Sequence, residues 1–389
     1  MRVGVDTTSW VNRRGFGRFT RNVVRRLVEL DPASRYVLFI DDATAAEADL
    51  PDGAERLVVE LSRPPSQAAA ADSSRGPLDL LRLTRAARRA RLDAFLFTSV
   101  YTWFPVPGIP SVVGVHDTIA DDLPGLTFPD RRARVLWRLK QAAAVRTARV
   151  VFTVSETSQR ALAARLGRPA ERLPVVPEAP DPVFVPQAAA SVAAARASIG
   201  LAAEQPFVLF WGGVSPHKNV ETLLDAFAAL GPDRIDGAAL VVVGDLERET
   251  YVSSAADVRR RIADLGIAER VLLPGFVSDE ALAALITGAT AVALPSLAEG
   301  FGLPAVEAAA CGAPLVLSDL PAHRESIGDA ALFFPPTDTA ALTRALGSVL
   351  ADPELRARLA EKARKAVAPL TWEAAATRVR ELVSEAARR

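Results

Sequence analysis

The stretch that decides the fold reads Ala291-Val-Ala-Leu-Pro-Ser-Leu-Ala-Glu-Gly-Phe-Gly-Leu-Pro-Ala-Val-Glu-Ala-Ala-Ala-Cys-Gly312. Its first four residues predict a buried strand, after which the chain turns through Gly300 and Gly302. A helix is predicted to begin at Pro304 and to stop at Gly312, because proline favours the first helical turn and glycine the position after the last. A strand, a tight turn and a helix in this order are typical of α/β folds.

Two carboxylates lie on either side of this predicted helix start. Glu299 precedes it in the loop, and Glu307 follows it one turn into the helix. A helix N-terminus offers unpaired amides and a positive dipole to an anion such as phosphate, while carboxylates accept hydrogen bonds from hydroxyls. A ligand that is both phosphorylated and polyhydroxylated, such as a nucleotide sugar, fits this pattern. The alternative is an ordinary loop–helix junction with one capping acid.

A second loop at the same edge of the predicted sheet carries a lysine. The buried strand Phe207–Trp211 is followed by Gly212, Gly213 and, five residues later, Lys218. Glycines let a backbone approach a ligand closely, and a lysine supplies a point charge to a diphosphate. Loops that follow parallel strands meet at the carboxyl edge of a sheet, so we expect Lys218 near Glu299.

Short apolar runs alternate with helical patterns along the whole chain, which predicts two doubly wound parallel sheets of about six units each. The predicted strands of the first half are Val3–Asp6, Tyr36–Ile40, Leu57–Leu61, Ala94–Phe97, Ser111–Val115, Val150–Val154 and Leu173–Val176. Those of the second half are Phe207–Trp211, Leu240–Val243, Val271–Leu273, Ala291–Leu294, Leu315–Leu317 and Ala331–Phe334.

Five prolines between Pro174 and Pro186 predict a stiff linker between two domains. We predict an N-terminal domain over residues 1–180 and a C-terminal domain over 187–370, with a last helix over about 371–389 that packs back on the first. The stretch Ser62–Gly76, rich in proline, serine and alanine, predicts a mobile loop. A chain of 389 residues is longer than one core usually supports, which also favours two domains.

The composition of the chain indicates the cellular compartment in which the protein is expected. The single cysteine, Cys311, cannot form an internal disulfide, which fits a reducing compartment. Met1 leads directly into a strand, without a signal-peptide pattern, and no apolar run approaches the roughly 18 residues of a membrane span. We therefore expect a soluble, cytoplasmic protein.

The net charge of zero conceals an asymmetry. Residues 1–186 hold 27 Arg and Lys against 21 Asp and Glu, and the remainder holds 19 against 25. The basic residues cluster at Arg13 to Arg26, Arg82 to Arg91 and Arg131 to Arg149. Such a surface suits an anionic membrane at the inner face, or an anionic acceptor, and solvated helix faces are the alternative. Nucleic acid is not expected, because aromatic and basic residues do not interleave.

Seven segments can be compared with known families: Glu299 and Glu307 as Glu-x7-Glu, Gly212 to Asn219 as a phosphate segment, Pro274-Gly-Phe-Val277, Gly15-Phe-Gly-Arg-Phe19, His116-Asp117, Val154-Ser-Glu-Thr-Ser158 and Ser318 to Ala331. Taken together, they resemble glycosyltransferase family 4, with its GT-B fold, over nearly the whole chain. They occur in the family's order.

The resemblance implies two Rossmann-like domains with a cleft between them and a retaining transfer of a hexose from a nucleotide diphosphate sugar. It favours GDP-mannose as donor, with UDP-glucose, UDP-N-acetylglucosamine and other hexose donors left open. The implied acceptor is a glycan, a glycolipid or a lipid-linked intermediate. No cofactor or essential metal is implied, and three scattered histidines with one cysteine predict no metal cluster.

The resemblance also implies roles for single residues. His116, Lys218 and Glu299 are the implied catalytic residues: His116 touches donor sugar and acceptor, Lys218 the diphosphate, and Glu299 the hexose hydroxyls. The implied donor contacts are Glu307 to the ribose, Phe276 and Val277 near the base, Gly300, Phe301, Gly302 and Leu303 to phosphate or sugar oxygens, and Gly15, Gly17, Gly212 and Gly213 around the diphosphate.

The chain departs from the family at two places. Many relatives carry an arginine where this chain has Val214 or His217, which leaves more of the diphosphate to Lys218, to a protonated His217 or to an arginine from elsewhere in the chain. The linker reads Pro177-Glu-Ala-Pro-Asp-Pro182 where relatives often have Asn-Gly, which adds stiffness. Of the remaining histidines, we predict a role in the site for His116 and a surface or capping position for His323.

Other functions fit less well. Glycoside hydrolysis needs paired carboxylates across a sugar, whereas Glu299 and Glu307 lie near a phosphate-type loop of one domain. A nucleotide-sugar epimerase or phosphorylase and a non-catalytic nucleotide-sugar sensor remain open. A dinucleotide-dependent dehydrogenase is not expected, because neither domain has Gly-x-Gly-x-x-Gly after its first strand.

Overall fold

The computed structural model describes residues 1–12, 15–41, 49–62, 75–231, 237–244 and 255–388. Most of the loop predicted over Ser62–Gly76 lies outside the described residues, as do Arg13 and Arg14 of the first basic cluster. The chain divides into two compact units. Unit 1 comprises Met1–Glu178 together with Thr371–Arg389, and unit 2 comprises Ala179–Leu370.

Unit 1 is built on six strands: β1 (Arg2–Asp6), β2 (Arg35–Ile40), β3 (Glu55–Val58), β4 (Ala94–Phe97), β5 (Ser111–Gly114) and β6 (Val150–Phe152). Its helices are α1 (Gly15–Leu30), α2 (Pro77–Arg89), α3 (Ile119–Asp122), α4 (Pro124–Thr127), α5 (Arg131–Thr147) and α6 (Glu156–Leu166), with α15 (Trp372–Arg388) added from the end of the chain.

Unit 2 also has six strands: β7 (Phe207–Trp211), β8 (Ala239–Val243), β9 (Val271–Gly275), β10 (Ala291–Leu294), β11 (Leu315–Ser318) and β12 (Leu332–Phe334). Its helices are α7 (Ala189–Ser198), α8 (Val220–Leu230), α9 (Ala255–Asp264), α10 (Asp279–Gly288), α11 (Leu303–Ala310), α12 (Pro321–Ile327), α13 (Thr339–Ala351) and α14 (Pro353–Val367).

Both sheets are parallel and share one strand order. The order is β3-β2-β1-β4-β5-β6 in unit 1 and β12-β11-β10-β7-β8-β9 in unit 2. Counted within each unit this is the order 3-2-1-4-5-6 of the Rossmann fold, which reverses direction between its first and fourth strands. The predicted pair of doubly wound sheets is confirmed.

Two predicted strands are wrong in extent. The strand predicted over Leu57–Leu61 is observed as Glu55–Val58, because it pairs with β2, whose last residue, Ile40, lies opposite Val58. The strand predicted over Leu173–Val176 is reduced to one bridge between Val175 and Thr153. Pro174 and Pro177 flank this bridge and have no N–H, so a longer ladder cannot form.

The core of unit 1 has an aromatic side and a helical side. Four phenylalanines pack together in it: Phe39, Phe95, Phe97 and Phe104. The edge-on pairs are Phe39 with Phe95, and Phe104 with both Phe95 and Phe97, at 5.0–5.3 Å between ring centres. Elsewhere Phe19 of α1 packs edge-on against Trp372 of α15 at 5.8 Å. A helix from the end of the chain thus completes the covering of the first sheet.

No helix among the described residues combines the length and the apolar character that a membrane crossing requires.

The packing of Trp372 yields a prediction for unit 1. Trp372→Ala removes a side chain that is 5% exposed, and we expect a loss of about 3–5 kcal/mol in the free energy of unfolding, the usual cost of such a cavity. Amide hydrogen exchange of α1 and β4 measures this loss, because exchange in these elements reports the stability of unit 1 separately from that of unit 2. The exposed neighbour change Glu373→Ala is the control and should leave exchange unchanged. Equal protection in both variants would show that α15 does not stabilise unit 1.

Candidate functional site

The predicted lysine and carboxylate of unit 2 meet at the switch point of its sheet. Lys218 ends a short turn, Pro216–Lys218, after β7, and Glu299 lies in the loop after β10. These strands are neighbours on either side of the reversal in strand order, where ligands of open α/β sheets bind. The two loops are joined directly, because the amide of Leu297 donates to the carbonyl of His217 at 2.8 Å.

Lys218 and Glu299 form a close ion pair. The ammonium Nζ lies 2.6 Å from Glu299 Oε1, and the hydroxyl of Ser296 donates to the same oxygen at 2.7 Å. The two charged side chains are only 17% and 10% exposed. Neither charge would be tolerated at this depth alone, so each depends on the other.

The pair fixes the charge of the carboxylate. Burial raises the pKa of Glu299, but the charge of Lys218 and the hydrogen bonds from Lys218 and Ser296 outweigh it and hold the pKa at about 2. Glu299 is therefore an ionised acceptor at neutral pH, suited to hydroxyl donors, beside an ammonium suited to phosphate.

The loop then enters α11 with an open N-terminus. Gly302 is the capping residue, with φ of +88°, and has no side chain to occupy the amides of the first turn. Leu303, rather than the predicted Pro304, is the first helical residue, and Phe301 and Leu303 are buried. An open amide end of an eight-residue helix, directly after Glu299 and Gly300, favours an anion.

Gly302 is required by a residue that the sequence analysis placed elsewhere. A Cβ at Gly302 would lie 2.8 Å from Cδ2 of His323. The prediction that His323 lies at the surface is wrong, because the side chain is fully buried beneath this loop. The helix α12 follows β11 at the same sheet edge, and its first turn, which carries His323, packs inward.

His323 has a defined tautomer. Nδ1 donates to the carbonyl of Ser318 at 2.9 Å, since a carbonyl only accepts, and the buried Nε2 has no hydrogen-bond partner among the described residues. Burial lowers the pKa of His323, and the repulsion from Lys218 adds to this, while Glu299 opposes it. The imidazole is therefore neutral at pH 7, with a lone pair near Gly302.

Glu307 lies inside α11, at a buried position. Glu307 also affects Cys311 at the end of the helix. Burial of the thiol, and to a smaller extent the negative charge of Glu307, raise the pKa of Cys311 to about 12. Cys311 is thus an unreactive thiol, and Glu307 brings a second carboxylate to the helix that follows Glu299.

Glycines bring three loop backbones together along the same edge. The amide of Gly212 donates to the carbonyl of Val243, and the amide of Gly244 donates to the carbonyl of Gly275. A Cβ at Gly244 would lie 2.4 Å from the carbonyl oxygen of Gly212. Gly212 and Gly213 therefore lie beside the ends of β8 and β9, as well as before Lys218.

Phe276 and Val277 follow β9 and line a separate space. Together with Ser198 and Pro274 they border an open cavity of about 570 Å³, and Phe276 is 54% exposed. Among the described residues, the other predicted donor contacts do not line this cavity. An exposed ring at the sheet edge is suited to stacking on a flat ligand.

Unit 1 holds its own polar cluster at the carboxyl edge of its sheet. His116 follows β5 and is 8% exposed, and its Nε2 donates to the carbonyl of Thr98 at 2.8 Å. Its Nδ1 lies 3.5 Å from Oε1 of Glu178, and the ring packs edge-on against Phe19 at 4.8 Å. Both ring nitrogens are therefore engaged within unit 1.

Glu178 determines the charge of this histidine. Burial lowers the pKa of His116, but the hydrogen bond and charge of Glu178, with the carbonyl of Thr98, outweigh it and raise the pKa above its ordinary value. The sequence analysis missed Glu178, because the prolines around it predict only a linker. No pattern in the sequence pairs a glutamate there with a histidine 62 positions earlier.

The two glycines of the predicted N-terminal loop begin α1. Gly15 is exposed, whereas Gly17 is buried, and a Cβ there would lie 2.0 Å from the carbonyl oxygen of Asn12. Close packing of the loop on α1 is thus one physical reason for Gly17. Both residues follow β1, at the switch point of the first sheet.

Comparison with known proteins gives two family matches. A family model described as glycosyl transferases group 1 matches residues 191–366, and a model described as glycosyltransferase family 4 matches residues 13–183. The first match contains Lys218, Glu299 and Glu307, and the second contains His116.

Two curated relatives are mannosyltransferases. O-antigen chain mannosyltransferase B of Escherichia coli is 28% identical over 228 residues, which cover 58% of this chain and 58% of that protein. The MMP alpha-(1->4)-mannosyltransferase of Mycolicibacterium hassiacum is 38% identical over 165 residues, which cover 41% of this chain and 38% of that protein. The matched segments span less than two thirds of either relative's length.

Solved structures resemble the chain over its whole length. Anabaena HepE, crystallised in complex with UDP-glucose, aligns with a TM-score of 0.77 at 20% identity and covers 99% of this chain and 100% of that one. At this identity the likeness is one of fold.

The ion pair of unit 2 yields a prediction on stability. Lys218→Met leaves Glu299 buried without its counter-charge, and we expect a loss of about 3 kcal/mol in the free energy of unfolding at pH 7. Because the pKa of Glu299 is depressed from 4.5 to about 2, the wild-type advantage is complete above about 4.5 and shrinks as the pH falls further. Amide exchange of β7 and β10, measured at several pH values, tests this.

The control for this experiment is Lys365→Met. Lys365 forms a fully solvated pair with Glu361 on α14 of the same unit, so its loss should leave exchange unchanged. Equal effects of the two substitutions at pH 7 would show that Lys218 and Glu299 do not depend on each other.

A second prediction concerns His116. Glu178→Gln removes the charge that raises the histidine pKa, so burial prevails and the pKa of His116 falls. The chain has three histidines, so proton NMR of the imidazole C2–H signals follows each one. The signals of His217 and His323 serve as internal controls, and an unmoved His116 midpoint would contradict the assignment.

Proposed function

The chain belongs to family 4 of the glycosyltransferases and has the GT-B fold, and we propose that it transfers a hexose from a nucleotide diphosphate sugar to a hydroxyl of an acceptor, with retention of configuration. The observation that carries this proposal is the buried pair of Lys218 and Glu299 at the switch point of unit 2. The pair lies immediately before the open amide end of α11.

The proposed donor site uses each part of this arrangement. The diphosphate lies between the ammonium of Lys218 and the amides of Gly302 and Leu303, which both favour anions. Glu299 accepts hydrogen bonds from the hexose hydroxyls, and Glu307 from the ribose. Phe276, with its exposed ring, is suited to contact the base.

Lys218 is already neutralised before the donor binds. An arriving diphosphate therefore shares the ammonium with Glu299, which in turn gains hydroxyl donors from the sugar in compensation. This exchange keeps the carboxylate hydrogen-bonded throughout, which a buried charge requires. It also couples the recognition of phosphate to the recognition of the sugar.

The proposed reaction breaks the bond between the sugar C1 and the β-phosphate oxygen, which leaves with the electron pair. A new bond forms between C1 and the acceptor oxygen, and the acceptor proton passes to the departing phosphate or to water. Negative charge grows on the leaving oxygen, so Lys218 and the α11 amides stabilise the transition state more than the ground state. The role that the resemblance gives His116, contact with donor sugar and acceptor, belongs to this proposal.

We favour GDP-mannose as the donor, supported by two mannosyltransferases among the relatives. The complex of Anabaena HepE with UDP-glucose makes that donor the alternative to test first. The acceptor we propose is a glycan, a glycolipid or a lipid-linked saccharide. Thermal-shift screening against GDP, UDP, ADP and dTDP sugars separates the donors, because a ligand at about a hundred times its Kd stabilises by about 2.7 kcal/mol.

The proposal predicts the effect of two substitutions on donor binding. Glu307→Gln and Lys218→Ala each remove a charge-assisted hydrogen bond. We therefore expect the Kd for the nucleotide sugar that the screen selects to rise about tenfold or more in each variant. Titration calorimetry measures the Kd. Lys365→Ala, at an exposed position of the same unit, is the matched control. Unchanged affinity in both site variants would defeat the donor-site assignment.

Product analysis separates transfer from its alternatives. A transferase releases nucleoside diphosphate only as fast as acceptor is glycosylated, whereas an epimerase changes the sugar without acceptor and a sensor releases nothing. NMR of the anomeric proton in the product shows whether configuration is retained.

A further inference from the structure

Asn219 directly follows Lys218 and precedes the first residue of α8. Its carboxamide Nδ2 donates to the carbonyl of Pro295 at 3.1 Å and to the carbonyl of Pro336 at 2.9 Å. Its Oδ1 accepts a hydrogen bond from the hydroxyl of Thr222 at 2.8 Å. Because carbonyls only accept, these partners define which end of the carboxamide is the nitrogen, and both of its polar atoms are engaged.

These hydrogen bonds join three loops at the carboxyl edge of the second sheet. Asn219 lies after β7, Pro295 immediately follows β10, and Pro336 comes shortly after β12. The strands β10 and β11 lie between β7 and β12 in the sheet, so the sheet itself does not bring the first and the last of these loops together. One side chain therefore connects the loop after β12 to the two loops that carry the lysine–carboxylate pair.

The backbone of Asn219 has a conformation that suits glycine best. Its φ is +55° and its ψ is +39°, in the left-handed region where a Cβ is crowded. Asparagine tolerates this region better than most residues, but only glycine adopts it without steric cost. Among the described residues, Arg91 is the one other non-glycine residue with a positive φ. A side chain at such a position is a reason to look for what the carboxamide contributes.

The bond to Pro295 lies next to the ion pair in both loops. Asn219 follows Lys218 in one loop, and in the other Pro295 precedes Ser296. The ammonium of Lys218 and the hydroxyl of Ser296 both donate to Oε1 of Glu299. The two loops are thus tied together one residue away from each of these donors, and this tie limits how far apart the loops can lie.

We propose that Asn219 is a positioning residue for the transfer reaction: its carboxamide holds the two loops together and so sets the distance between Lys218 and Glu299. This role rests on the proposed function, in which Lys218 stabilises the charge that grows on the leaving oxygen. Asn219 acts through Lys218, because a misplacement of about 1 Å in a catalytic group can lower the rate about 10²-fold. The second bond, to Pro336, limits rotation of the carboxamide and so maintains the first.

Steady-state kinetics of the full chain with two substitutions test this role. Asn219→Gly keeps the left-handed backbone and removes the carboxamide. Asn219→Asp keeps the shape, but it places an acceptor oxygen against two carbonyls, which repel it. The donor is GDP-mannose or UDP-glucose, whichever the thermal-shift screen selects, and the acceptor is an octyl hexoside.

We expect kcat to fall about tenfold or more in both variants, while KM for the donor rises less than about threefold. The misplaced ammonium still attracts the diphosphate of the ground state, but it no longer follows the leaving oxygen in the transition state. A side chain that only stabilised the fold would lower the melting temperature and leave the kcat of the folded protein unchanged.

The charge of Glu299 gives a second measurement that does not depend on transfer. Burial raises the pKa of Glu299, but Lys218, His323 and the hydroxyl of Ser296 outweigh burial and hold the pKa at about 2. Its carboxyl signal in NMR, with glutamate labelled by carbon-13, should therefore stay constant from pH 7 to about pH 4 in the wild type. The signal is identified by its absence in Glu299→Gln. In both Asn219 variants Lys218 lies farther away, so burial prevails, the pKa rises and the signal should titrate in this range.

Arg91→Gly is the matched control. Arg91 is exposed in unit 1 and has a φ of +51°, so this substitution also places a glycine at a positive φ but removes no bond between the loops of unit 2. The kcat, the KM and the Glu299 signal of this variant should equal those of the wild type.

Two results would overturn the role of Asn219. Wild-type kcat in both Asn219 variants, with a Glu299 signal that stays constant, would show that the pair is set without the carboxamide. A lower kcat with an unchanged Glu299 signal would show that Asn219 does not act through the pair. A wild type that binds no nucleotide sugar would instead defeat the proposed function, and the Glu299 signal would still show whether Asn219 positions the pair.

Discussion

An ammonium and a carboxylate that shield each other from a poorly solvated environment set the character of unit 2. Lys218 and Glu299 are 81 residues apart in the sequence, yet Nζ of the lysine lies 2.6 Å from Oε1 of the glutamate, which also accepts a hydrogen bond from the hydroxyl of Ser296. The pair keeps both groups ionised where burial alone would favour neutral forms, so the two groups together have no net charge but produce a strong local field. A ligand with phosphate on one side and hydroxyls on the other interacts favourably with both groups at once. Phosphate alone would pair with Lys218 but would repel the negative carboxylate of Glu299.

This contact depends on the strand order of the sheet. The reversal between β7 and β10 places the ends of two strands, Trp211 and Leu294, side by side although they are 83 residues apart, with their loops at the same edge of the sheet. The same order in unit 1 places Thr98 and His116 on adjoining strand ends, and there a buried histidine takes its charge from Glu178. Each unit thus turns the same topology into a different buried charge pair, one anchored by lysine and one by histidine.

The sequence was sufficient for the sheets because apolar runs of strand length alternate with helical periodicity. It predicted Ala94–Phe97, Phe207–Trp211 and Ala291–Leu294 to the residue, and it placed Lys218 near Glu299 from the rule for strand ends. It failed where pairing partners decide the outcome: at Leu57–Leu61, whose extent follows β2, and at Leu173–Val176, where prolines remove the donors. His323 and Glu178 were missed for a related reason, since burial of a polar side chain depends on partners distant in sequence.

The charge asymmetry of the chain has a local origin. Helices α2 and α5 together carry a net charge of +9, more than the whole excess of residues 1–186, so the rest of that half is net negative. A general need for solubility would spread the charge, and would not set it beside five exposed apolar side chains. The arginines of α2 and α5 also lie on helices whose opposite faces hold the aromatic core, so the fold supports the apolar surface without burying it. Positive charge and exposed leucine thus occur together on two helices of unit 1, while the anion-binding groups of unit 2 are set by an internally neutralised pair.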